Sequence, residues 1–142
     1  MTVQVLGTHF NISAYSNEAA ITTTLLEGSV KVQQRNNTAL LAPGQQSQLN
    51  RQGNMAIIKD ANVAEAVAWK EGMIRFHALD MEGIIRMMER WYNVDVAYDG
   101  SVQQSYNVIV SRNVPLSKLL EYLELAGGAH FAIDGKKVTI TK

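Results

Sequence analysis

His9, His77 and His130 are the side chains best suited to proton transfer or metal binding in this chain. A metal centre needs three or four ligands that converge, usually visible as His, Cys, Asp or Glu at short, regular spacing. These histidines are scattered, each within or beside a strand-like segment, with no second ligand at such spacing. Cysteine is absent, which removes thiolate nucleophiles, thiolate metal ligands and disulfides. There is no G-x-S-x-G elbow, and Gly127-Gly128 follows a helical pattern, the wrong end of a helix for an anion. Glu82, Glu89, Glu121 and Glu124 fall on polar helix faces and read as solvated carboxylates, not as a paired acid and base. Trp69, Trp91 and Tyr92 could stack on a ligand, but Trp91 lies on an apolar stripe and reads as core. The expectation is a non-enzymatic binding protein with no catalytic or metal-binding residues and no cofactor.

The elements that carry these residues come from a chain of 142 residues, 46% of them hydrophobic, enough for one domain or two small ones. Thirteen Lys and Arg balance thirteen Asp and Glu, and the balance holds on both sides of Trp69, four against four and then nine against nine. Neither half has the field of a nucleic-acid or anionic-membrane binder. No run of about 18 apolar residues is present, the length needed to span a bilayer. The opening Met1-Thr2-Val3-Gln4-Val5 lacks the basic and apolar regions of a signal peptide and reads as the interior of a strand.

Residues 1–68 alternate with period two. Val3 and Val5 share a phase, Phe10 and Ile12 take the other, and the slip at Gly7 predicts a bulge. Thr24, Leu26, Val30 and Val32 continue the strand grammar around Glu27-Gly28. Asn36-Asn37 reads as a tight turn and Ala42-Pro43-Gly44 as a type II turn. Weaker strands follow at 45–49 and 55–58. A piece this small buries little apolar surface, so residues 1–68 alone are expected to aggregate or stay unfolded.

Residues 69–142 read as strand, helix, strand, twice. Asp80 can cap a helix with apolar Met81, Ile84, Ile85, Met88 and Trp91, and Pro115 can open one with Leu116, Leu119, Leu120 and Leu123. Gly83 is tolerated because it falls in a first turn. The two passes superimpose at a spacing of 35 residues, Met81 on Leu116 and Val96 on Phe131. Asp134-Gly135 predicts a type I′ hairpin with Phe131 opposite Val138. The fold class is therefore α+β: an all-β segment, then a small sandwich of two βαβ-like units.

Several motifs in order carry a resemblance across nearly the whole chain. Val5-Leu6-Gly7-Thr8-His9-Phe10-Asn11-Ile12, Leu26-Glu27-Gly28-Ser29-Val30-Lys31-Val32, Leu41-Ala42-Pro43-Gly44-Gln45 and Ala68-Trp69-Lys70-Glu71-Gly72 resemble FecR-type anti-sigma regulators. Glu89-Arg90-Trp91-Tyr92 and Val94-Asp95-Val96 resemble the C-terminal domain of the Bacteroidetes-type members. The resemblance implies residues 1–68 as part of a FecR β domain of sandwich or barrel-like kind, and 69–142 as a secretin/TonB short N-terminal-like domain. It further implies a periplasmic location behind a membrane helix, and binding to the signalling domain of a TonB-dependent outer-membrane transducer of iron or glycan uptake. An extracytoplasmic-function sigma factor would be held by a cytoplasmic segment. That segment, the helix and the first FecR strands have no counterpart in this sequence. The Pro43-Gly44 turn also resembles cupin barrels, so a cupin-like or carbohydrate-binding protein is the alternative, although Gln45, Gln46 and Gln48 stand where histidine ligands would be.

Strand addition along an open sheet edge is the expected mode of partner binding. Two edges are candidates, one with Tyr106, Val108 and Val110, the other with Lys137, Thr139 and Thr141. Lys136, Lys137 and Lys142 serve equally well as charges that protect an edge from pairing.

Overall fold

The computed structural model describes residues 1–142 and divides into two compact units, Met1–Val67 and Ala68–Lys142. In the first, strands β1 (Thr2–Ser13), β2 (Ala20–Gln34), β3 (Asn37–Leu41), β4 (Gln46–Asn50) and β5 (Met55–Ile58) precede a one-turn helix, α1 (Val63–Val67). The five strands form one open antiparallel sheet. β2 organises it: β1 pairs along one side, while the other side takes β4 on residues 20–24 and β3 on residues 30–34.

A bend between the two halves of β2 makes this exchange of partners possible. Gly28 has φ +90, and a Cβ there would lie 2.8 Å from the Gly7 carbonyl oxygen and from Thr8 Oγ1. β1 answers with register shifts between Leu6 and Phe10, where Gly7 has φ +54, so the bulge expected at Gly7 is present. Leu25, Val30, Val32 and Leu41 are buried, with Val3, Phe10 and Met55 packed against them. Gly44 has φ +86 and Gln45 N–H donates to the Ala42 carbonyl at 3.0 Å, the geometry of a type II turn. The turn expected at Asn36-Asn37 lies one residue earlier. Gln34 pairs with Asn37, and Arg35 takes the positive φ of +52. β1 and β5 are free edges, so these strands do not close into a cupin-type barrel.

The second unit opens with a 3-10 turn at Ala68–Glu71. It continues through β6 (Met73–Leu79), α2 (Met81–Tyr92), β7 (Asp95–Tyr98), β8 (Tyr106–Ser111), α3 (Leu116–Leu125), β9 (His130–Asp134) and β10 (Lys137–Thr141). The sequence dictates both ends of α2. Asp80 accepts the Gly83 N–H at 2.8 Å, and Asn93 closes the helix in the left-handed region with its N–H on the Glu89 carbonyl. A Cβ at Gly83 would sit 2.7 Å from Leu79 Cγ, so the Leu79 side chain would have to shift to admit it. Pro115 stands at the N-cap of α3, one place before the first helical turn expected of it.

Both β-α-β passes are present, but each divides its strands between two sheets. β6 pairs β8 antiparallel; β10 lies between β7, which is parallel to it, and β9, which is antiparallel. One buried cluster draws Ile74, Ile84, Met87, Met88, Val108, Leu119, Leu123, Val138 and Ile140 from both sheets and both helices. The β9–β10 hairpin forms in a shifted register. Asp134 joins the ladder opposite Lys137, so Phe131 faces Ile140 and Ile133 faces Val138. Gly135 (φ +57) is the only turn residue with positive φ, which matches type II′ and not type I′. The shift keeps every side chain on its expected face.

Candidate edge-binding site

The open edge of β8 meets the flank of α3 in a groove of about 640 Å³. Its floor and walls come from β8 together with Val114, Leu119, Tyr122, Leu123 and Ala126. Antiparallel ladders alternate, each residue turning its N–H and C=O to one neighbour or the other. Arg112 N–H donates to the Gly72 carbonyl at 2.8 Å, which fixes the parity. Val110 and Val108, two and four residues earlier, therefore spend their backbone groups on β6. Asn107, Ile109 and Ser111 turn theirs outward, where no strand pairs them.

That parity corrects the residue choice made from sequence. Tyr106 and Val108 are buried in the core and Val110 packs against it, and all three line the groove from its inner side. The Tyr106 hydroxyl donates to the Gly127 carbonyl at 3.0 Å, tying β8 to the end of α3. Burial, followed by the neighbouring Tyr98, raises its pKa above the ordinary value. Ile109 is 61% exposed and Tyr122 50%, and these two form the apolar rim. Period-two hydrophobicity selects inward residues, which is why the sequence pointed to the set that faces the core.

The second candidate edge does not exist. β10 is the central strand of its sheet, bonded to β7 and β9, so Lys137, Thr139 and Thr141 have no free backbone edge to offer. The sequence could not reveal this, because a C-terminal strand joined by a hairpin to its predecessor ordinarily ends a sheet. Here it inserts beside β7 instead.

None of the groove's lining residues is a His, Asp or Glu. His9 Nδ1 is 2.8 Å from Glu27 and His130 Nδ1 is 2.9 Å from Glu124, both pairs at the surface. No group of three His, Cys, Asp or Glu is placed to hold a metal ion. Trp91 packs on the core with the Arg112 guanidinium 4.8 Å from its ring centre, and the Tyr92 hydroxyl donates to the Val114 carbonyl at 2.7 Å. Trp91 and Tyr92 therefore brace the loop after β8, while Trp69 is 47% exposed with the Lys70 ammonium 5.7 Å from its ring centre.

Residues 73–140, which span this whole arrangement, match the family model described as FecR, C-terminal. The second unit is a FecR C-terminal domain. Two crystal structures of a candidate anti-sigma factor from Parabacteroides distasonis ATCC 8503, at 1.65 and 2.50 Å resolution, share the fold of the entire chain. Their TM-scores are 0.82 and 0.81, with 22% identity over 99% of this chain. The chain spans 66% of the length of each. No curated protein matches it. No helix in it is long and apolar enough to cross a membrane.

Proposed function

We propose that this chain is the periplasmic, signal-receiving part of a FecR-type anti-sigma regulator. Its partner would be the N-terminal signalling domain of a TonB-dependent outer-membrane transducer, one that takes up an iron complex or a glycan. The second unit, read as a secretin/TonB short N-terminal-like domain, receives that partner. The first unit, read as the C-terminal part of a FecR β domain, passes the event toward the membrane. Control of an extracytoplasmic-function sigma factor then follows through segments outside this sequence. The observation that carries the reading is the unpaired edge of β8 beside an apolar groove, a surface suited to binding protein and not to turning over a substrate.

Calorimetric titration with the signalling domain of the transducer encoded beside the gene tests it. Binding at micromolar affinity or better, retained by residues 68–142, is the expected result. No heat from two demonstrably folded proteins contradicts the transducer as partner.

A further inference from the structure

The sheet formed by β6 and β8 is one strand short of the three-stranded sheet in the same unit. We infer that its missing member is an extended, uncharged segment of the partner, which adds to β8 and lays alternate apolar side chains over α3. The inference deepens the receiver reading and rests on it only for the partner's identity.

Three observations define the occupant. The outward N–H groups of Asn107, Ile109 and Ser111 repeat every second residue, a spacing matched by another strand; the Ser111 carbonyl already accepts the Val114 N–H at 3.0 Å, so the open acceptors are those of Asn107 and Ile109. The groove falls within the ~300–1,000 Å³ usual for sites that enclose a ligand, and it runs the length of β8. None of its lining residues is Asp, Glu, Lys, Arg or His. An ammonium or carboxylate placed in it would lose water and find no counter-charge, so the match of charge calls for a neutral segment. On α3, Lys118 and Glu121 answer each other at 3.0 Å and Glu124 pairs with His130 at 2.9 Å. Side chains of an added strand alternate, one set entering the groove against Leu119, Tyr122 and Leu123, the other lying outside beside Ile109.

The opposite edge of this sheet is blunted. β6 carries a bulge at His77-Ala78, where Ala78 has φ +52 and its N–H turns to the Asn107 side chain. Bulges of this kind disrupt edge pairing, so addition is directed to β8. Exposed apolar surface continues from Tyr122 to Leu125, which is 85% exposed one turn further along α3.

A random twelve-residue peptide display library, selected on the intact 142-residue chain, provides the test. Ile109→Pro removes the central outward N–H without touching the β6 ladder, and Tyr122→Glu puts a charge at the groove while leaving the edge intact. Enriched peptides should contain an uncharged stretch with β-branched or aromatic residues at alternate positions. They should also bind at least tenfold more weakly to each folded variant. No enrichment, charged or non-alternating sequences, or equal binding to Tyr122→Glu would overturn the inference. If such peptides bind the groove but the transducer domain does not bind the chain, the partner assignment fails and the groove chemistry stands.

Discussion

Single residues set the local geometry on which both units depend. Gly28 has its positive φ and close approach to Gly7 because β2 must bend between two partners. Gly28→Ala is expected to destabilise the first unit by about 2 kcal/mol or more, read by chemical denaturation, since left-handed backbone and a backbone clash add. The opposite sign is expected at Thr23. It is fully buried opposite Ser47, and neither hydroxyl has a hydrogen-bond partner. Thr23→Val keeps the shape and removes the unsatisfied group, so stability should rise by about 1 kcal/mol in the same assay. In the second unit burial lifts the pKa of Tyr92 and Tyr106 above their ordinary value near 10. The unfolded chain then releases these protons at lower pH than the folded one. Their contribution is complete below pH 10 and is lost as pH rises through the folded values. A stability–pH series should show this alkaline loss, and the Tyr92→Phe, Tyr106→Phe pair should flatten it.

At the scale of elements, what the sequence makes legible is whatever period and punctuation determine. The N-cap of α2, the bulge at Gly7, the type II turn at Gly44 and the alternation of strand and helix after Trp69 all follow from local residue types. Strand partners do not. Hydrophobic period two shows that Val138 and Ile140 face a core, but it cannot show that β10 lies between β7 and β9. Hairpin register also escaped, because Asp134 extends the ladder and leaves Gly135 to open the turn. The candidate edge was half legible: β8 is free, yet its outward backbone groups belong to the alternate residues Asn107, Ile109 and Ser111. These positions separate two outcomes. Thr139→Pro breaks a central strand and should unfold the second unit, seen as loss of its cooperative melt. Ile109→Pro sits on the free edge and should leave that melt within a few degrees of the parent.

For the molecule as a whole, the two units differ in how much core each commands. The second gathers a single cluster from two sheets and two helices, whereas the first relies on Leu25, Val30, Val32 and Leu41 within one open sheet. Residues 68–142 should therefore fold alone with a sharp thermal transition. Residues 1–67 should aggregate or melt without cooperativity, because the open edge of β1 exposes Val5, Leu6 and Ile12.

Residue-resolved amide exchange along β8, with and without the transducer's signalling domain, tests the central claim most directly. In the free chain the amides of Asn107, Ile109 and Ser111 should exchange fast while those of Val108 and Val110 exchange slowly. On binding, the fast set should become protected. Binding that leaves those three amides fast, with protection appearing elsewhere, would contradict a partner strand at β8.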